Sequence, residues 1–339
     1  MEPTTENLGV SCLCKVGIRV FIYSDRSAGF WGPGVGPVIG GFIGEHVDYK
    51  YCDWLTLIIS GAILLSLVLF QPETYAPVLL KWRASALREA TGCDKYKSPL
   101  ELREITFIQR SLRALYRPFL YLFLEPIVAL ISLYMTIIYV VLFTFLEGYD
   151  FIFAGLHGLS PQDVGLCFLG IDFGLIFCVA SVPLVYWRYE KLRRRENAEG
   201  NTKVKPEARL FYAMIGGWAI PVSLFWMGWT SMPQISFWSP LVASTLFGFG
   251  LLCVFITSYQ YIIDAYEEFA ASALATLTVV RYIASGGMVV VARPMYENLG
   301  VPKAVTILAC LSAAMVPVPF IFAWKGEQIR KWSRFSPTH

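Results

Sequence analysis

Residues 119–145 read FLYLFLEPIVALISLYMTIIYVVLFTF, an apolar run interrupted by a single charge, Glu125. A helix rises about 1.5 Å per residue, so about 20 such residues cross a hydrocarbon core of roughly 30 Å. Peptide groups find no water in that core, and a helix satisfies its own, so the run reads as a transmembrane helix. Seven further stretches of the same kind lie at 30–47, 54–70, 164–187, 210–230, 238–263, 270–292 and 303–324. The chain is therefore expected to be an all-α integral membrane protein with about eight transmembrane helices.

The gaps set the orientation. Basic residues gather in an N-terminal arm at 1–29 (Lys15, Arg19, Arg26) and in 71–118, which carries nine of them from Lys81 to Arg117. They gather again in 188–209, from Arg188 to Arg209, and in the tail 325–339. The alternate gaps hold only Lys50, Arg293 and Lys303. The positive-inside rule then puts both termini and both large basic loops in the cytoplasm. The gap at 264–269 falls on the same side and is acidic, but acidic residues contribute little to orientation.

Composition agrees with a membrane solvent. Hydrophobic residues make up 56% of the chain and charged ones 16%, where a soluble domain has about 45–50% and about 25%. The net charge of +3 is small, and its basic residues sit in loops that would face anionic lipid, so the bilayer rather than nucleic acid is the expected partner. Three histidines (His46, His157, His339) and eight scattered cysteines, of which only Cys12 and Cys14 form a C-x-C, give no metal spacing. H-E-x-x-H, P-loop and G-x-S-x-G patterns do not occur in the sequence. No enzymatic activity, cofactor or metal is expected. A transporter, channel or receptor is.

The spans divide unevenly. A pair at 30–70 is followed by a connector at 71–118, then six spans at 119–324. Leu102, Ile105, Ile108, Leu112 and Leu115 recur at three- and four-residue spacing in the connector, an amphipathic stripe suited to the membrane surface. Pro72 and Pro118 bracket that connector and are expected to mark helix ends.

The first span is unusual. Residues 29–45 read GFWGPGVGPVIGGFIGE. Gly32, Gly36 and Gly40 repeat at spacing four, which presents a small-residue face for close helix approach, and Pro33 and Pro37 bend the helix. Gly32, Gly36, Pro37, Gly40 and Gly41 fill a pattern that resembles the antiporter motif in the fifth span of major facilitator superfamily exporters, roughly G-x-x-x-G-P-x-x-G-G. The likeness continues through Pro72-Glu73-Thr74-Tyr75, LLKWRASALREATG at 79–92, RPFLYLFLEPIVALISLY at 117–134, KPEARL at 205–210, YIIDAYEEFAASALA at 261–275, Arg281 and MYENLG at 295–300. In this order, over about residues 20–336, the chain is similar to fungal twelve-span drug:proton antiporters. The resemblance implies a major-facilitator-type bundle made of a partial N-terminal half and a complete six-helix C-terminal half. No counterpart of that family's first four spans is found in this sequence, nor of its glycine-aspartate-arginine cytoplasmic motif or fourth-span arginine.

Charges at membrane depth are the candidate functional residues, because a buried ion normally faces a cavity or a partner. Arg281 stands about 16 Å into its span and is expected to line a transport path or to form a structural ion pair. Asp172 lies at similar depth and is the natural partner for it. Glu125 is expected to serve proton coupling or to pair with Arg117 at the interface. Asp264 and Glu267 fall at the cytoplasmic end of their span and suit a gate. Tyr134, Tyr139, Tyr259, Tyr261, Trp218 and Trp226 offer aromatic surface for packing, for interfacial anchoring or for an amphipathic or cationic substrate.

The resemblance implies proton-coupled efflux of a drug, polyamine or fungal secondary metabolite by alternating access. The expected partners are a small-molecule substrate and protons, with self-association through the glycine-rich first helix. The plasma membrane or the vacuolar membrane is the expected site. The alternative is a transport-inactive membrane fragment or a partial gene model.

Overall fold

The computed structural model describes residues 31–48, 50–73, 75–93, 95–102, 107–198, 206–266 and 269–330. In chain order the helices are α1 (31–46), α2 (Lys50–Phe70), α3 (Ala76–Thr91), α4 (Phe107–Leu124) and α5 (Pro126–Tyr149). There follow α6 (Pro161–Cys167), α7 (Leu169–Ala198), α8 (Phe211–Thr230), α9 (Trp238–Tyr266), α10 (Ala270–Leu299), α11 (Val301–Met315) and α12 (Pro317–Arg330). Among the described residues seven helical stretches are long and apolar enough to cross a membrane, beginning with Lys50–Phe70 and ending with Val301–Gly326. Eight were expected. The remaining one corresponds to α1, whose described length of about 24 Å falls short of the core thickness.

The chain forms two compact units. One contains the residues up to His46 together with Pro118 onward; the other is Val47–Arg117. The division falls between α1 and α2. The glycines of α1 let its backbone touch α6 and α7, whereas α2 is a predominantly apolar helix with no buried residue.

In the smaller unit, α3 ends at Gly92, whose φ of 64° closes the helix by bonding to the Arg88 carbonyl. Arg88 then grips Glu101 through two N–H groups at 2.9 and 3.0 Å and donates to the Tyr96 carbonyl at 2.8 Å. Ser98 and Glu101 exchange backbone and side-chain bonds in the manner of a capping box. This knot folds the loop 92–102 back on α3.

In the larger unit, α9 packs on α7 and α8, α5 packs on α10 and α11, and α8 packs on α11. Met135, Phe145 and Tyr149 of α5, Phe247 and Phe255 of α9, Leu224 of α8 and Leu308 of α11 are buried between them. Phe145 stacks on Phe247 and Tyr149 on Phe168, each at 4.1 Å between ring centres.

Pro118 does not end a helix. It lies inside α4, and its carbonyl accepts from Thr276 of α10 at 3.0 Å. The break comes at Glu125, which takes the extended backbone (φ −111°, ψ 103°) favoured before a proline, with Pro126 opening α5. At its far end α5 continues into a π-helical turn, Asp150–Leu156, before Ser160 caps α6.

Candidate functional site

Arg281 sits on α10 inside a box of four aromatic rings. Phe255 and Tyr259 are one turn apart on α9 and so share a face. Tyr139 comes from α5, and Tyr282 follows Arg281 in the chain. The guanidinium carbon lies 4.7 Å from the ring centre of Tyr139, 5.0 Å from Tyr282, and 5.4 Å from both Phe255 and Tyr259. The side chain is 6% exposed. On membrane-insertion scales an arginine at a helix centre costs about 2.5–3.5 kcal/mol. One desolvated cation–ring contact contributes about 2 kcal/mol, so even partly additive contacts with four rings offset that cost. The rings do not accept its donors: Nε and Nη1 have no hydrogen-bond partner among the described residues.

The expected pair with Asp172 is not formed. Asp172 occupies the first turn of α7, buried, with its carboxylate against α1 at Gly34, and neither oxygen has a hydrogen-bond partner among the described residues. Different helices hold the two charges, and the four rings surround the cation instead. Nor does Glu125 turn to Arg117, which is exposed. Glu125 is fully buried and accepts from the Tyr266 hydroxyl at 2.9 Å, joining the α4–α5 break to the end of α9.

Asp264, in the last turn of α9, forms an ion pair with Arg209. Arg209 also donates to Gln260 at 3.1 Å and lies 5.0 Å from the ring centre of Tyr189. One cation thereby ties α7, the short helical turn Pro206–Leu210 and α9 together. Glu267 lies outside the described residues.

The glycine motif divides by face. A Cβ added at Gly41 would stand 2.7 Å from the Pro161 carbonyl oxygen, and one at Gly165 would stand 2.6 Å from that of Pro37. At Gly34 it would strike the Asp172 carboxylate. At Gly32, Gly36 and Gly40 it would meet nothing within 4 Å. The close approach therefore runs through Gly34 and Gly41, and the expected face at spacing four makes no part of it. Glu45 at the end of α1 accepts from the first turn of α6, at Gln162 N–H, 3.2 Å away. Beside this contact α1, α5 and α6 border an open pocket of about 750 Å³, lined among others by Pro33, Pro37, Phe143, Glu147, Asp150 and Phe168.

Of the aromatic residues singled out from the sequence, Tyr139 and Tyr259 belong to the Arg281 box. Tyr134 and Tyr261 are buried elsewhere, and Trp218 and Trp226 are exposed. Phe255, Tyr282, Tyr266 and the role of Arg209 were missed. Only the i, i+4 spacing of Phe255 and Tyr259 could have pointed to the box.

The family model described as the Major Facilitator Superfamily matches residues 26–289. The chain belongs to that superfamily. It is similar to the MFS-type transporter kojT of Aspergillus flavus, 46% identical over 91% of this chain and 55% of the relative. It is similar to the MFS-type efflux pump MFS2 of Trichophyton rubrum, 40% identical over 87% of this chain and 49% of that protein. The uncharacterized transporter mfs2 of Schizosaccharomyces pombe is 39% identical over 86% of this chain and 52% of its own length. The chain thus spans about half the length of these curated relatives. No solved structure matches it. Family and apolar helices together make it a multi-pass membrane protein of all-α, major-facilitator type.

Proposed function

We propose that this chain carries small organic molecules out across a membrane in exchange for protons, by alternating access around the six helices of residues 119–324. The observation that carries the reading is Arg281, a permanent charge kept in the middle of a membrane bundle by aromatic rings, with no acid partner among the described residues. Packing alone would be served better by an apolar residue there. Export rather than uptake is supported by the efflux pump among the relatives and by the resemblance of 29–45 to the antiporter motif. Asp172 and Glu125, buried carboxylates of the same bundle, are the proposed proton carriers. The basic loops support cytoplasmic termini, and a plasma or vacuolar membrane location is proposed with them.

The test is efflux from yeast cells lacking their own exporters, with and without a protonophore. Expression should lower the accumulation of at least one fluorescent drug, polyamine or metabolite, and the protonophore should abolish the effect. Arg281→Ala and Glu125→Gln should reduce efflux more than they reduce membrane abundance. Unchanged efflux at equal abundance would remove both residues from the path.

A further inference from the structure

We infer that Arg281 and its rings form a recognition site for a planar organic anion, a carboxylate carried on a conjugated ring. This deepens the transport reading above and rests on it, since it takes the Arg281 box as part of the path. Three observations meet here. A guanidinium stays charged at any pH the protein meets, and this one is 6% exposed. Its Nε and Nη1 groups find no acceptor among the described residues, and no described acid forms an ion pair with it. Three buried or half-buried acids of the same bundle lie elsewhere: Glu125 bonded to Tyr266, Asp264 paired with Arg209, and Asp172 packed against α1.

The rings attract the charge through their faces, but they leave N–H edges that call for an oxygen acceptor. A carboxylate supplies two, in the planar geometry a guanidinium matches best. Tyr139 is edge-on to Tyr282 at 5.4 Å between ring centres, and Tyr282 is half exposed, so the box opens past an aromatic lip on which a flat ligand can stack. A cationic ligand at this place would meet a like charge at low dielectric. The box therefore selects against polyamines and quaternary drugs.

The test uses three probes with one aromatic body: naphthoate, its neutral amide, and naphthylmethyl-trimethylammonium. Binding is measured on the full chain in nanodiscs of neutral phosphatidylcholine. The wild-type protein should bind naphthoate more tightly than the amide by about tenfold or more, the effect of one charge-assisted contact. The ammonium probe should not compete. Arg281→Gln should lose the preference for the anion, and Arg281→Lys should keep part of it. Equal binding of anion and amide, no binding of naphthoate, or competition by the ammonium probe would each overturn the assignment. So would an undiminished anion preference in Arg281→Gln. Should Arg281→Gln fail to fold, the wild-type ranking of the three probes decides. Efflux and binding fail separately: anion binding without efflux would count against the transport reading alone, and efflux by a protein indifferent to ligand charge would count against this inference alone.

Discussion

Tyr266 donates its phenolic hydrogen to Oε2 of Glu125 at 2.9 Å, with both side chains buried. The bond closes the end of α9 onto the one place where the α4–α5 segment leaves helical geometry. A hydrogen bond to a buried carboxyl group contributes about 1–3 kcal/mol. Tyr266→Phe should destabilise the purified protein by about that amount while keeping the ring's packing. Thermal unfolding in detergent measures it, and an unchanged midpoint would mean that the bond does not hold the break in place.

The Arg209–Asp264 pair should behave differently. Both side chains are about a quarter to a third exposed (25% and 31%), so solvent screens them. Asp264→Asn should cost about 1 kcal/mol or less, with the loss shrinking as salt is added. The exchanged pair Arg209→Asp with Asp264→Arg should recover stability. If Asp264→Asn proves as damaging as Tyr266→Phe at high salt, the contact is a buried one.

Much of this was legible in the sequence because membrane solvent leaves few choices. The long apolar stretches at 54–70 and from 119 onward became membrane-length helices, and the lone charge Arg281 had to be buried against something. What the sequence did not disclose was rotational phase. Glycines at 32, 34, 36, 40 and 41 offer several faces, and which of them meets α6 and α7 depends on the partner's shape. The same blindness paired Arg281 with Asp172 on depth alone, although depth says nothing about which side of a helix a residue occupies. Pro118 and Pro126 carry the same local signal, yet only Pro126 opens a helix. The Pro118 carbonyl is instead held by Thr276, a contact between residues far apart in the chain.

The loop after α3 should show a clear acid response. Arg88 beside Glu101, with help from the Ser98 N–H, holds that carboxyl well below the ordinary carboxylate range, at about 2. A folded value below the unfolded one stabilises where the carboxylate is ionised. The contribution is therefore complete above the ordinary value of 4.5 and fades as the pH falls from there through about 2. Pepsin cleavage near Tyr96 and Leu100 should stay slow until the pH approaches the lower figure. Glu101→Gln should be cleaved readily throughout. Equal cleavage of the two proteins across the range would dismiss the clamp.

The docking of α1 gives the sharpest structural test. Gly41 and Gly165 each face a backbone carbonyl across the α1–α6 contact, and a methyl group at either would come within 2.7 or 2.6 Å of an oxygen. Backbone cannot rotate away as a side chain can, so the helices must separate, at a cost of about 1–3 kcal/mol for overpacking. Gly34 faces the Asp172 side chain, which can turn, so Gly34→Ala should cost less. Gly32, Gly36 and Gly40 face open space, and alanine there should be neutral or should favour the helix by up to about 1 kcal/mol. The readout is a cysteine pair at positions 45 and 162, which the Glu45–Gln162 bond brings together. Cross-linking in membranes should be fast in the parent and in the Gly32, Gly36 and Gly40 variants, slower in Gly34→Ala, and slowest in Gly41→Ala and Gly165→Ala. The reverse order would mean that α1 docks through its four-residue glycine repeat, as its sequence alone suggested.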